Sequence, residues 1–301
     1  MNQEELAAMV AQILHQMGQE PPVKGSDYHP TTPGPQSADN HYQDGDFVED
    51  ITKLDLRKLY LEEAPQNKEA FLALKAKTPA RLASGKAGAR YKTLTMLRFR
   101  ADHAAAQDSV FSQVPEDFAQ KNGMIPVQTK CRDKEEYLTR PDLGRDFDEE
   151  NAKIIREANS GGPRVLIVVG DGLSSAAIVA NAVPCLKAIQ EGLRQRGIAM
   201  GKTMFVRYCR VGAGDAIGDL TGCEVVCMLV GERPGLVTDK SMSAYITYAP
   251  RRGVPESSRT VVSNIHAQGT TAEAAGAQIA GLMERMLRVK ASGVALQMKR
   301  G

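Results

Sequence analysis

The spacing of hydrophobic residues changes several times along the chain, and each change marks a segment. In residues 2–17, Leu6, Met9, Val10, Ile13, Leu14 and Met17 recur at intervals of three and four, which predicts an amphipathic helix. No period survives through residues 19–49, where prolines, glycines, histidines and acids alternate irregularly, so this stretch reads as a flexible linker. Such a terminal helix either frays or docks its apolar face on another protein. Helical spacing returns from 51 to about 122, in DLRKLYLEEA, KEAFLALKAKTPARLASG and TLTMLRFRADHAAAQDSVFSQV. A polar connection then ends in YLTRPDLGR (Tyr137 to Arg145), where Pro141 restricts Arg140 to an extended backbone and predicts a turn. A helix from Asp146 to Ala158 follows.

From Val165 the pattern alternates. VLIVV is a run of five apolar residues, mostly β-branched, as expected of a strand buried on both faces. It breaks at Gly170-Asp171-Gly172 and restarts as a helix capped by Ser174 or Ser175 and running to about Arg196. Strand Thr203 to Arg207, helix Asp215 to Leu220 and strand Glu224 to Val230 continue the series. Strands Ala244 to Tyr248 and Thr260 to Ser263 and a helix from Ala272 to Lys290 close it. The class is α/β with a parallel sheet, and the chain divides into a helix (1–18), a linker (19–49), a helical domain (50–150) and the α/β domain (151–301). Ligands of such sheets sit beyond the carboxyl ends of the strands. Four turns therefore converge on one rim: Gly170 to Gly172, Cys209 to Gly212, Gly231 to Gly235, and Ser263 to His266.

Composition narrows the function. With 301 residues, 42% hydrophobic and 25% charged, the chain is globular. A net charge of +2 gives no case for nucleic acid as a partner. The basic run from Lys75 to Arg100, eight lysines and arginines with no acid, suits an acidic protein surface or anionic ligand better, since only Tyr91 and Phe99 offer base stacking. No transmembrane run or signal peptide is present, so a cytosolic location is expected. The five cysteines (131, 185, 209, 223, 227) contain no CxxC pair and read as reduced core thiols, with Cys223 and Cys227 on one face of a strand.

Candidate chemistry is sparse. ASGKAG fails as a phosphate loop, because Ala80 and Ala87 replace its glycine and hydroxyl. GDGLSS departs from the dinucleotide fingerprint at Ser175, which leaves a nicotinamide oxidoreductase as the second reading. Asn264 to Gly269 nearly matches the Asp-x-His-x-x-Gly pattern that offers histidine to cobalt. Asn264, however, replaces the orienting acid, and His266 reads as a turn histidine. No catalytic set and no metal-ligating set is visible.

LRFRADHA, VPEDF, YLTRPDLGR, GDGLSS, FVRYCRV, LVGERPGL, SNIHAQGT and the terminal KASG occur in the order seen in a known family. From about Leu82 to Ser292 the sequence resembles the small (light) subunit of ethanolamine ammonia-lyase. The resemblance implies a Rossmann-like C-terminal domain preceded by a helical part. It also implies a cap over adenosylcobalamin seated on a large subunit, within a hexamer of heterodimers. The cofactor keeps its own base on cobalt (base-on), so no protein histidine is required, and its radical chemistry converts ethanolamine into acetaldehyde and ammonia. The family's cofactor contacts fall on Val211, Glu232 and Val261, with Arg210 as a neighbour. Val261 stands where relatives typically carry cysteine, which leaves it a main-chain or van der Waals contact. Enzymes of this pathway often carry a terminal amphipathic peptide for a bacterial microcompartment, which favours docking of residues 2–17 to shell or cargo. A self-contained oxidoreductase and a microcompartment adaptor are the alternatives.

Overall fold

The structure is a computed structural model that describes residues 50–55, 58–78 and 80–299. The expected helix at 2–17 and linker at 19–49 lie outside these residues. In chain order the elements are α1 (Lys68–Lys75), β1 (Lys86–Ala87), β2 (Arg90–Tyr91), α2 (Thr93–Phe111), α3 (Phe118–Lys121), β3 (Ile125–Gln128), α4 (Lys134–Thr139) and α5 (Glu149–Ala158). They continue as β4 (Val165–Asp171), α6 (Ser175–Gln195), β5 (Met204–Arg207), α7 (Ala213–Thr221), β6 (Val225–Gly231), β7 (Met242–Tyr248), β8 (Arg259–Ile265), α8 (Ala272–Val289) and α9 (Gly293–Met298). Caps fall where short polar residues precede apolar runs. Asn67, Asp148, Ser174 and Thr271 each accept a hydrogen bond from a backbone N–H in the first turn of α1, α5, α6 and α8.

Six strands form one mixed sheet in the order β3-β5-β4-β6-β7-β8. The four strands from β3 to β6 are parallel, whereas β7 is antiparallel to β6 and β8 to β7. The expected all-parallel sheet is thus corrected at one edge. The reason is the length of the link: residues 232–241 between β6 and β7 contain no helix, too short a connection for a parallel crossover. Because β8 reverses again, its carboxyl end returns to the rim shared by β4, β5 and β6.

Side chains alternate between two cores. Val165, Ile167, Val169, Val225, Cys227 and Leu229 face α6 and α8. Leu166, Val168, Val226, Met228 and Val230 face α5 and α7. All five cysteines are buried free thiols. Cys223 and Cys227 do not share a face: Cys223 precedes β6 and joins the second core, Cys227 the first.

Two further differences have local causes. Within DLRKLYLEEA, expected to be helical, the described residues form no helix. Their backbone is taken by tertiary partners instead: Leu61 N–H donates to Ala83 O (3.0 Å), and the buried Lys75 ammonium donates to Leu59 O and Leu82 O. Burial lowers the Lys75 pKa, with Asp55 opposing. Strand β3, which the sequence pattern did not suggest, adds an edge to the sheet through parallel pairing with β5. Among the described residues no helix is long and apolar enough to cross a membrane.

Candidate functional site

The chain leaves β4 toward β5 on one side and leaves β6 toward β7 on the other, so the loops diverge between the ends of β4 and β6. A crevice opens at such a switch point. Here it is a cleft of about 360 Å³, open to solvent along one side, whose walls include Leu173 after β4, Cys209, Arg210 and Val211 after β5, and Val230 to Arg233 at the end of β6. Tyr137 and Tyr245 complete it. Two of the four rim turns predicted from sequence, Cys209 to Gly212 and Gly231 to Gly235, contribute lining residues; beside the first turn, Gly170 to Gly172, only the adjoining Leu173 does. The fourth, at the end of β8, lies outside the cleft lining.

The β5 turn is aimed by an unusual backbone. Tyr208 has φ of 56°, the left-handed region that costs a bulky residue roughly 1–2 kcal/mol. Its carbonyl is held by Thr129 Oγ1 (2.9 Å), Cys209 N–H donates to Asp171 O (2.8 Å), and Arg210 N–H donates to Gly144 O (2.8 Å). Gly144 is required there, since a Cβ would lie 2.7 Å from the Arg210 side chain. YLTRPDLGR therefore acts as the support of Arg210, and its turn at Arg140 is present as predicted.

Arg210 lies flat on Tyr137, its guanidinium carbon 4.2 Å from the ring centroid, and donates from Nη2 to Tyr137 O (2.6 Å). Its Nε is buried without a hydrogen-bond partner. Buried donors are rarely left so. Tyr137 is itself buried, with its hydroxyl donating to Cys209 O (3.4 Å); burial pushes its pKa well up, partly opposed by Arg210. Behind it, Lys134 donates to Gly172 O (2.6 Å), and burial lowers its pKa against the pull of Asp171. Asp171 accepts from Ser175 Oγ (2.6 Å) and Val114 N–H (3.3 Å), and burial raises its pKa above the usual carboxylate range.

Across the cleft, Glu232 accepts from Ser243 Oγ, and its N–H donates to Ser241 O (2.9 Å). Among the described residues no ion pair joins it to Arg233. One carboxylate oxygen thus stays available to a ligand. Val261 is 46% exposed on β8, directly paired with Tyr245, so its side chain emerges on the sheet face of the cleft wall but one strand further out. Arg210, Val211 and Glu232 meet in one place and Val261 borders it. Tyr137 and Tyr245 were missed. The sole sequence signal for Tyr245 was its place on a predicted strand, and Tyr137 opens YLTRPDLGR, a motif that carries the family resemblance, without standing out as a site residue within it.

Two rejected motifs are explained. SGKAGAR folds as the exposed β1–β2 hairpin, with Gly88 at φ 63°, not as a strand-to-helix loop. His266 accepts from Gln268 N–H at Nδ1 (3.2 Å), which leaves Nε2 to donate to Asn264 Oδ1 (2.8 Å). Both ring nitrogens are engaged within the turn.

These features define an α/β chain with an open cleft at its strand ends. The sequence matches the family model of ethanolamine ammonia-lyase light chains over residues 68–297. It is 54% identical to the small subunit of that enzyme from Clostridium perfringens over 298 residues, covering 99% of this chain and 100% of the relative. Identity is 53% to the Clostridioides difficile small subunit over 298 residues and 50% to that of Listeria monocytogenes over 297, each with 99% of this chain and 100% of the relative covered. The chain belongs to the ethanolamine ammonia-lyase small-subunit family.

Proposed function

We propose that this chain grips adenosylcobalamin from one side, closing over a cofactor carried by the large subunit. The observation that supports this most directly is the incomplete cleft. Its volume of about 360 Å³ sits at the low end of small-molecule sites, roughly 300–1,000 Å³. A corrinoid is far larger than a drug-sized ligand, so one edge alone fits, and a second polypeptide must hold the rest. The residues suit that edge. Corrin side chains end in amides, which both donate and accept: the Arg210 guanidinium in the cleft wall suits an acceptor, and Glu232 suits a donor. Val211, Leu173, Val230 and the Tyr245 ring offer apolar surface to the macrocycle. Val261 extends that surface outward.

Bound base-on, adenosylcobalamin would supply the radical chemistry that turns ethanolamine into acetaldehyde and ammonia. This chain's part is to orient the ring through Arg210 and Glu232, to cover it with apolar side chains and to exclude water. It contributes no residue that touches substrate. The working assembly is a hexamer of heterodimers with a Rossmann-like small subunit, and residues 2–17 direct it to a bacterial microcompartment.

Co-expression with the Clostridium perfringens large subunit tests the reading. Copurification, together with an adenosylcobalamin absorption change on adding ethanolamine only when both chains are present, is the expected result. Full activity from the large subunit alone, or turnover of an alcohol with NAD by this chain alone, overturns it.

A further inference from the structure

Helix α2 leaves large apolar side chains uncovered, while Ala106 is buried on its inner side. The side it turns to the protein carries Thr95 and Ser109, both buried, with Arg98 and Asp102 ion-paired at 3.0 Å and mostly covered. The opposite side carries Leu97, Ala104 and Phe111 at intervals of seven, with Leu94 alongside. Leu94 is 40%, Leu97 46% and Phe111 66% exposed. This stripe runs about 26 Å at 1.5 Å per residue. An exposed apolar stripe of that length marks an interaction surface.

Arg100 flanks the stripe on one side and the exposed Asp108 on the other, and the segment before α2 adds further positive charge. Of the eight basic residues from 75 to 100, Lys75, Arg81, Lys92 and Arg98 are committed internally. Lys77, Lys86, Arg90 and Arg100 are exposed, and no acid among the described residues pairs with them. The stripe is also continuous with the cleft. Arg81 bridges Asp102 of α2 (2.7 Å) and the carbonyl of Leu236, and Ser109 Oγ donates to Asp239 O (3.3 Å). Both acceptors lie in the loop that begins with Glu232 and Arg233, and that loop exposes Leu236 and Val237.

We propose that the outer face of α2, the β1–β2 hairpin and Leu236–Val237 form the docking surface for the large subunit, which meets them with an apolar centre and an acidic rim. This rests on the reading above, that a second chain completes the cleft. Docking then fixes α2, and through Arg81 and Ser109 the loop carrying Glu232, so assembly and cofactor grip are coupled.

The full chain is assayed with the Clostridium perfringens large subunit. Leu97→Cys adds one surface thiol to a chain whose five cysteines are buried. Maleimide should label it rapidly in the free chain and at least about tenfold more slowly in the complex. Leu94→Glu with Leu97→Glu should weaken association by about thirtyfold or more, with the free chain's thermal transition unchanged. If wild type does not associate, the function proposed above falls with this one. If wild type associates while the double variant binds equally well, or the thiol reacts at the same rate in the complex, the docking surface alone is wrong. Slow labelling of the free chain likewise overturns it, because the stripe is then covered by the chain's own residues or by a second copy.

Discussion

Arg210→Met separates a structural arginine from a ligand-holding one. In the free chain the substitution removes the Nη2 bond to Tyr137 O, a charge-assisted bond worth about 1.5–3 kcal/mol, and the stacking on Tyr137, about 0.5–2 kcal/mol. It also removes the buried Nε that has no partner, which returns about 1–3 kcal/mol of desolvation cost. The net loss is therefore about 1–2 kcal/mol, a fall in Tm of about 2–8 °C for a domain of this size. With ligand bound the balance differs. The Arg210 guanidinium on the cleft wall then donates to the ligand, and losing that bond should weaken binding by about 10- to 150-fold. Arg210→Lys sharpens the test, since it keeps the charge and lacks the planar fork and Nε. Scanning calorimetry of the free chain gives the first number, and absorbance titration of the two-subunit assembly with cyanocobalamin gives the second. A large drop in Tm with unchanged affinity in Arg210→Met refutes the reasoning, as does Arg210→Lys binding like wild type.

Three other outcomes follow from the same geometry. Gly231→Ala puts a Cβ 2.1 Å from the carbonyl of Ser174, the N-cap of α6, so Tm should fall by the equivalent of about 3 kcal/mol; an unchanged transition would show the α6 start to be freely movable. Burial alone would raise the Asp146 pKa, but hydrogen bonds from Lys130 and Arg252 win and bring it from 3.8 to about 2. A depressed carboxyl stabilises the fold above its unfolded pKa and loses that contribution as pH falls through the folded value, so Asp146→Asn should flatten the acid-unfolding curve between about pH 4 and pH 2; an unaltered curve counts against it. Val261→Asp, at a position 46% exposed, should leave stability within about 0.5 kcal/mol while weakening cyanocobalamin binding by the assembly, and equal binding would remove Val261 from the site.

What could be read from the sequence follows from how each element is buried. β4 and β6 are buried along their whole length, so both faces must be apolar and the runs stand out. β3 has four residues, one of them Pro126, and exists because β5 offers it an edge, a tertiary fact with no local trace. The direction of β7 was open to inference from the helix-free link before it, had link length been weighed against strand alternation. In the site, topology pointed to the turns that hold Arg210, Val211 and Glu232, because turns after strands converge, but the residues themselves were singled out by the family resemblance. Tyr137 was not, because the segment before Pro141 reads as a polar connection, whereas the structure forms the helix Lys134–Thr139 there and buries its tyrosine against a turn of distant residues.

Among the described residues, two departures from ordinary folding preference bear on this region: the exposed Leu94, Leu97 and Phe111 of α2, and a left-handed Tyr208 that aims an arginine with an unpaired buried donor. Sequences that specify one structure tend to break such rules where function compensates. The two are not independent in space. Arg81 and Ser109 tie α2 to the 232–241 loop, and that loop forms the wall facing Arg210. A free small subunit would carry both costs without compensation. On the proposed reading, a partner that covers α2 would remove the first cost and hold the loop opposite Arg210, which is a physical argument for dividing such a site between two chains.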